Sequence, residues 1–325
     1  MQNEDSLKGL GLALTAYLIW GVMPLYMKAL AHIPASEVIA HRVIWSVPIA
    51  AIVLWASGRT GDLRRALRSP RTLGMAAITA ALISVNWGIY VWAIGAGHAL
   101  DAALGYYINP LFSVLLGAIV LGERLSPAQI VALVLAAAAV IVLTVEAGRV
   151  PMVALGLTLS WGAYAYLKKS LPVEPNQGFL LEVLLLLLPA LAYLGWLTAT
   201  GRGHFLEGEA LDSWLLFGCG AVTAGPLLIY AHGAKLLRLS TIGILQYVTP
   251  TLIFLVAVLI FNEPFGQARM IAFPMIWAAL VIYSIALLRQ VRARSDVQRS
   301  RAAPRTAGTD ATGPQMTGGS AGPTA

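Results

Sequence analysis

The stretch Tyr106-Tyr107-Ile108-Asn109-Pro110 recurs 140 residues later as Gln246-Tyr247-Val248-Thr249-Pro250. The same offset, or an offset of 141 further upstream, relates other pairs of identical residues: Tyr90 and Tyr230, Glu123 and Glu263, Trp20 and Trp161, Pro48 and Pro189. A spacing that persists over most of a chain indicates an internal repeat. The sequence therefore predicts two halves built on the same plan.

The composition is that of a membrane protein. Hydrophobic residues make up 58% of the chain, charged residues 11%, and the mean hydropathy is +0.75. Soluble domains contain about half apolar and about a quarter charged residues. Because lipid requires every backbone polar group to be satisfied internally, and the strand alternation of a β-barrel is absent from the sequence, we predict an all-α polytopic membrane protein.

Ten apolar segments are long enough to cross a hydrocarbon core of about 30 Å as helices. They lie near 9–28, 35–56, 72–95, 101–121, 127–145, 150–168, 178–199, 212–235, 242–261 and 269–288. Each half holds five, and an odd number forces the two halves into opposite orientations, the inverted repeat of many secondary transporters. We therefore expect one repeat over 1–148, a second over 149–290, and a disordered cytoplasmic tail over 291–325.

The formal net charge of +7 does not indicate nucleic-acid binding, because the cations are concentrated in alternate loops. These are Lys8, Arg59, Arg64, Arg65, Arg68, Arg71, Arg124, Lys168, Lys169, Lys235, Arg238, Arg289, Arg292 and Arg294. By the positive-inside rule both termini are cytoplasmic. The single cysteine, Cys219, excludes a disulfide or a cysteine metal site within the chain, and we expect neither a metal nor a cofactor.

Polar groups inside spans are the candidates for a substrate site, because hydrocarbon penalises them unless they face a cavity or a partner. Pro110 and Pro250 leave the carbonyls of Tyr106 and Gln246 without their usual donors. Two kinked helices could thus form a binding wall, or the kinks could be structural and their polar groups could bond neighbouring helices. The predicted substrate contacts are Trp20, Asn86, Trp87, Tyr90, Tyr106, Tyr107, Asn109, Trp161, Tyr230, Gln246 and Tyr247.

Ionisable residues suggest a way to couple transport to protons. Glu37 and His41 lie one helical turn apart beside Arg42, and His41 corresponds to Glu182 in the second half. Histidine and a desolvated glutamate can both exchange protons during a cycle. The alternative is that the first three form a satisfied ion cluster at the outer surface and that Glu182 pairs with a basic residue. Glu123 and Glu263 are interpreted as charges at helix ends or as gate locks.

At these residues the chain resembles the drug/metabolite transporter superfamily, in particular the RarD group of its EamA-type members. The matching stretches are Ala16–Gly21, His41–Ser46, Leu104–Pro110, Leu121–Arg124, Arg238–Thr241 and Gln246-Tyr247. The resemblance covers roughly residues 7–289. It implies a bacterial inner-membrane permease with ten helices in two five-helix EamA repeats around a central cavity. It also implies an association with chloramphenicol, although not a physiological cargo.

We therefore expect a secondary transporter that exports a small amphipathic metabolite or drug, such as chloramphenicol, by alternating access, with proton coupling as a hypothesis. No Walker loop occurs, so ATP is not expected to drive it directly. The expected partners are the small-molecule substrate, the bilayer and protons, and the sequence leaves open whether the chain forms a homodimer. The alternatives are a membrane-embedded binding or sensory protein that transports nothing, and an intramembrane enzyme using His41 with Glu37; we expect no enzyme.

Overall fold

The computed structural model describes residues 6–302, apart from Ser57, Arg59, Glu123 and Arg238, and every regular element in this part of the chain is helical. The helices are α1 (Leu7–Ala29), α2 (Ala35–Ala56), α3 (Thr60–Leu67), α4 (Pro70–Gly95), α5 (Ala99–Leu121), α6 (Pro127–Ala147), α7 (Met152–Ser170), α8 (Pro175–Ala199), α9 (Ala210–Ala234), α10 (Leu239–Leu245), α11 (Val248–Leu255), a π-helix (Val256–Ile260) and α12 (Gln267–Ala302).

Eight of these helices are long and apolar enough to cross a membrane: α1, α2, α4, α5, α6, α8, α9 and α12. They correspond to eight of the ten predicted spans, and the chain is an all-helical polytopic membrane protein. The sixth predicted span corresponds to α7, a helix of 19 residues whose last turn carries Lys168 and Lys169. These two cations lower its hydropathy below that of the eight.

The prediction of one continuous helix over 242–261 is wrong. The chain is interrupted between α10 and α11 at Gln246-Tyr247, and the last turn before Phe261 is π-helical. Pro250 lies in the first turn of α11, where a proline is tolerated, but it cannot donate to the carbonyl of Gln246. The equivalent Pro110 lies inside the unbroken α5, so the two halves differ here.

The predicted disordered tail also begins too early, because α12 continues to Ala302. Residues 291–302 contain neither glycine nor proline and hold four Arg and two Ala, which favour helix. Residues 303–325 lie outside the described part, so the expectation for them stays a prediction.

The helices form a bundle in which α2 packs on α8 and α9, α1 on α9 and α11, α4 and α5 on α7, and α6 on α12. Glycine residues occupy the positions where two helices approach each other most closely. A Cβ at Gly220 of α9 would overlap the backbone carbonyl of Trp45 in α2, and a Cβ at Gly105 of α5 would lie 2.8 Å from the Ala154 carbonyl oxygen in α7. Glycine at these crossings allows backbones to approach closely. The α2–α9 crossing is important below because it brings Thr223 to Arg42.

Candidate substrate site

Arg42 lies in the interior of the bundle, in α2, with only 3% of its surface exposed. Its Nε donates a hydrogen bond of 3.0 Å to the Thr223 hydroxyl of α9. Its guanidinium carbon lies 4.6 Å from the centre of the Trp87 ring in α4, a cation–π contact. Its Nη1 is buried and has no hydrogen-bond partner among the described residues.

Two tyrosines complete this group. The Tyr90 ring of α4 and the Tyr106 ring of α5 meet edge to face at 5.9 Å, and both side chains interact electrostatically with the Arg42 guanidinium. The Tyr90 hydroxyl is buried and makes no hydrogen bond within the described part of the chain. We call Arg42, Trp87, Tyr90, Tyr106 and Thr223 the Arg42 centre. It joins three helices of the first half to α9 of the second.

Asn109 lies one turn beyond Tyr106 on α5 and is also buried, with its Oδ1 unpartnered within residues 6–302 as described. Such an orphaned acceptor is unusual, because buried polar groups are normally paired. The structure therefore brings together three of the predicted contacts, namely Trp87, Tyr90 and Tyr106, and Asn109 follows them by one turn of α5.

A second group of predicted residues forms an aromatic cluster between α1 and α9. The Trp20 and Tyr230 rings are 5.7 Å apart, and Tyr17 lies 5.8 Å from the first and 5.5 Å from the second. The sequence prediction missed Tyr17, although its position three residues before Trp20 puts both on the same helix face.

Other predicted contacts are engaged in helix packing. The Asn86 amide donates to the Leu157 carbonyl at 3.1 Å and to the Ser160 hydroxyl at 2.9 Å, which ties α4 to α7. The Tyr107 hydroxyl bonds Thr251 of α11 at 2.8 Å, and its ring meets Phe273 in α12 edge to face. These contacts correspond to the structural alternative for polar groups in spans.

The remaining predicted contacts lie in α7 and in the interruption between α10 and α11. Trp161 of α7 packs 5.6 Å from the Tyr164 ring. Gln246 and Tyr247 form the break between α10 and α11, and Tyr247 precedes the first residue of α11. Whether any of them touches substrate stays a prediction.

The residues predicted for proton coupling do not form one cluster. Glu37 is buried, and its two carboxylate oxygens pair with the backbone amide and the ring Nδ1 of His204, each at 2.8 Å. His41 instead accepts a 3.0 Å hydrogen bond from the Trp45 indole at Nδ1, and its Nε2 is buried without a partner in the described residues. Arg42 is five residues from Glu37, and therefore about 140° around the helix.

Glu182 of α8 is buried and pairs with Lys168 of α7 at 2.7 Å, and it also accepts a 3.3 Å hydrogen bond from the Tyr164 hydroxyl. This is the basic partner that the alternative interpretation required. The sequence contained Lys168 as a loop cation, but nothing in it indicated His204 as the partner of Glu37.

Glu263 does not mark the end of its own helix but caps another. Its two oxygens accept the backbone amides of Ala99 at 2.7 Å and Leu100 at 2.9 Å, at the first turn of α5. A carboxylate there satisfies orphan donors and complements the positive end of the helix dipole. The equivalent Glu123 lies outside the described residues.

No group of three or more His, Cys, Asp or Glu side chains that could hold a metal occurs among the described residues. Two cavities of about 240 and 570 Å³ open on the surface, one lined by α2, α4 and α8 and the other by α1, α2 and α9, and neither contains a residue of the Arg42 centre. The centre is thus buried within the bundle in this conformation.

An all-helical, multi-pass bundle with a buried polar centre defines a class of membrane proteins, and sequence comparisons specify it further. Residues 7–145 match the EamA-like transporter family. An uncharacterized transporter of Vibrio cholerae is 43% identical over 87% of this chain and 94% of its own length. Protein RarD of Streptomyces exfoliatus is 41% identical over 96% of this chain and 99% of its own length.

The chain belongs to the EamA-like transporter family and to its RarD group. A further relative, the chloramphenicol-sensitive protein RarD of Pseudomonas aeruginosa, is 34% identical over 85% of this chain and 93% of its own length. A solved crystal structure aligns with a TM-score of 0.54 at 21% identity, covering 88% of this chain and 99% of the other, which supports the fold alone. The family assignment supports a transporter role.

Proposed function

We propose that the chain is a secondary transporter of the bacterial inner membrane, with both termini cytoplasmic, that exports a small amphipathic metabolite or drug by alternating access. The observation that carries this proposal is the Arg42 centre, since a buried group of unpartnered polar atoms between helices of two halves is where transporters bind cargo. The relative named for chloramphenicol sensitivity makes chloramphenicol the first cargo to test.

The packing pattern supports an inverted repeat with ten spans, counting α7 and the broken segment α10–α11 among them. Each major contact has a counterpart at the equivalent helices of the other half. The contact of α1 with α9 corresponds to that of α7 with α4, and the contact of α5 with α7 corresponds to that of α11 with α1. The pairs α2 with α8, α5 with α11 and α6 with α12 each join equivalent helices. This pattern is expected of two five-helix units related by a two-fold axis.

The polar contacts between the halves support a state closed at one end. Four links join first-half to second-half residues at the end where α2 and α5 begin, which the loop charges assign to the outside. They are Glu37 with His204, His32 with Asp212 at 3.0 Å, Asp101 with Arg269 at 3.0 Å, and Glu263 with Ala99 and Leu100. We call these four links the outer gate. Alternating access then requires them to open while contacts at the cytoplasmic end close.

We propose His41 as the group that carries protons, because its buried Nε2 has no partner in the described residues, whereas Glu37 and Glu182 are each in an ion pair, although Glu182 keeps one buried oxygen, Oε1, without a partner. The ring lies 4.8 Å from Phe205, in the segment that links α8 to α9 beneath the outer gate. A histidine at this position could exchange a proton when the gate opens.

Transport is tested in reconstituted vesicles loaded with labelled chloramphenicol. An imposed pH gradient should drive net movement in one direction, and His41→Gln should leave equal flux with and without the gradient. If flux through the unmodified protein did not depend on the gradient, the protein would be a facilitator and not a proton-coupled transporter. No flux above protein-free vesicles, together with unchanged cysteine accessibility at both ends on adding cargo, would favour the non-transporting binding protein.

A further inference from the structure

Arg42 stands out because it is a buried cation without a carboxylate. Within the described residues no acidic side chain lies within ion-pair distance of it, whereas the half-buried Lys168 is paired with Glu182. A charge within a membrane-spanning helix is costly unless something neutralises it. The Thr223 hydroxyl and the Trp87 ring orient the guanidinium, but neither carries a negative charge.

The buried carboxylates of α2 and α8, two helices that pack on each other, are already paired. Glu37 of α2 uses both oxygens on His204, and Glu182 of α8 is bound by Lys168 and Tyr164. Leaving one partner of a buried ion pair uncompensated is strongly destabilising, so an arginine is retained at such a position at a considerable energetic disadvantage. No described residue supplies the missing anion, which leaves this place to a ligand.

Hydrogen-bond donors converge where that anion would bind. The Nη1 of Arg42 and the hydroxyl of Tyr90 are both buried and unpartnered within the described residues, and the Tyr106 side chain is adjacent. A guanidinium presents a planar edge that matches a carboxylate, and phenol hydroxyls donate readily to one. The Trp87 ring and the tyrosine rings provide faces for an apolar or aromatic body.

We propose that Arg42 binds the anionic group of charged cargo, so that this transporter prefers amphipathic anions bearing a carboxylate or a similar oxyanion over neutral compounds of the same shape. This inference rests on the proposed transport function and specifies its substrate class. Tyr90 donates to the same group, and Trp87 holds the guanidinium in place. The position equivalent to Arg42 in the second half is Val183, so each molecule has one such site and the two halves differ in their chemistry.

The test is equilibrium binding to the full-length protein in detergent at neutral pH, with two matched pairs of probes. These are 4-nitrobenzoate with 4-nitrobenzamide, and naphthalene-2-carboxylate with naphthalene-2-carboxamide. Within each pair only the negative charge differs appreciably. The unmodified protein should bind the carboxylates about tenfold more tightly than the amides, because charge-assisted hydrogen bonds discriminate by this order.

Variants assign the preference to the site. Arg42→Gln should abolish it, Arg42→Lys should retain part of it because the charge remains without the planar fork, and Tyr90→Phe should weaken it. Arg202→Gln is the matched control, since that arginine is exposed and contacts the Trp196 ring, and it should leave the preference unchanged. If Arg42→Gln does not fold, the carboxylate preferences of Tyr90→Phe and Arg42→Lys test the proposal instead.

Equal affinity for carboxylates and amides in both pairs would overturn the inference, as would a preference that survives in folded Arg42→Gln. Stabilisation of the unmodified protein by chloride alone, without a carboxylate preference, would assign the site to an inorganic ion and likewise overturn it. Gradient-driven flux of neutral chloramphenicol without any carboxylate preference would refute only this inference. A carboxylate preference without flux in vesicles would instead refute the transport proposal.

Discussion

The carboxylate of Glu263 accepts a hydrogen bond from the backbone amide of Ala99 at 2.7 Å, which joins the segment after the π-helix to the start of α5 in the other half. Because the second oxygen of Glu263 holds the next amide in the same way, the contact is a two-point helix cap between halves. Such a cap can separate and re-form as a unit, unlike a packed apolar crossing.

Glu263→Gln should therefore favour opening of the outer gate. The variant removes the charge and one of the two acceptor oxygens, a loss of about 1 kcal/mol for a cap, which corresponds to about a fivefold shift in a two-state equilibrium. The measurement is the labelling rate of Ser46→Cys by a membrane-impermeant maleimide, in a Cys219→Ser background. Ser46 is fully buried one turn beyond Arg42 on α2, so labelling requires the gate to open.

Glu207→Gln is the matched control for this experiment. Glu207 lies in the neighbouring segment between α8 and α9, and its side chain is exposed. Its substitution should leave the labelling rate unchanged. Equal labelling in Glu263→Gln and in the unmodified protein would show that the cap is static and not part of a gate.

Asn86 and Tyr90 lie one turn apart on α4, and the structure gives them different roles. Asn86→Ala should lower the free energy of unfolding by about 1–2 kcal/mol, because two interhelical hydrogen bonds to α7 are lost, and should leave carboxylate affinity unchanged. Tyr90→Phe removes a hydroxyl without a partner in the described residues, so it should not reduce stability but should weaken carboxylate binding several-fold.

Thermal unfolding in detergent and titration with 4-nitrobenzoate measure the two quantities on the same samples. If Asn86→Ala weakened binding with stability intact, Asn86 would be a substrate contact as the sequence suggested. If Tyr90→Phe lost stability and kept its affinity, the hydroxyl would have a structural partner and the Arg42 centre would lose one of its proposed donors.

The sequence predicted the helices more fully than the site. The lengths of the apolar segments predicted the eight helices that are long and apolar enough to cross a membrane, because a span needs about 20 apolar residues. They did not predict the break at Gln246-Tyr247. A proline follows at the equivalent position in both halves, Pro110 and Pro250, yet only the second helix is interrupted, because tertiary packing determines whether a helix continues past a proline. The isolation of Arg42 was partly predictable, since five residues place it on a different face of α2 from Glu37.

The sequence did not predict which residues pair with one another across distant segments of the chain. Glu37 pairs with His204, 167 residues away, in a segment whose sequence shows no helical periodicity. From the sequence alone, His41 is the expected partner because it lies one helical turn from Glu37. Local spacing ranks the nearest opposite charge first, but the fold decides which group is nearest in space. The same limit explains why Asn86 was predicted to bind substrate when the carbonyl of Leu157 already holds its amide.

Lys168 and Glu182 should behave as a structural pair. Lys168→Met leaves the buried Glu182 carboxylate uncompensated and should lower the free energy of unfolding by about 3–5 kcal/mol. Adding Glu182→Gln should restore most of this loss, because no buried charge then remains. Thermal unfolding of the two single variants and the double variant measures the coupling between the residues.

Flux measurements on the double variant separate structure from energy coupling. We expect the pH-gradient dependence of chloramphenicol flux to persist in it, because His41 is proposed to carry the proton. Loss of the dependence in a variant as stable as the unmodified protein would transfer the coupling role to Glu182.

Gly220 sets the distance between α2 and α9, and its substitution should affect both stability and the Arg42 centre. A Cβ at this position would overlap the Trp45 carbonyl, so Gly220→Ala must displace one backbone from the other and should cost about 3 kcal/mol. The displacement would also lengthen the 3.0 Å bond between Arg42 and Thr223, one turn further along α9, and so reduce the carboxylate preference.

Gly195→Ala, in the interior of α8, is the control because nothing lies within 4 Å of a Cβ there. Alanine is favoured over glycine in a helix interior by up to about 1 kcal/mol, so this variant should be as stable as the unmodified protein or slightly more stable. The two alanine variants differ only in what the added methyl group meets. Equal stability of both would mean that α2 and α9 do not cross at Gly220, and the positioning of Arg42 by Thr223 would then be refuted together with the crossing.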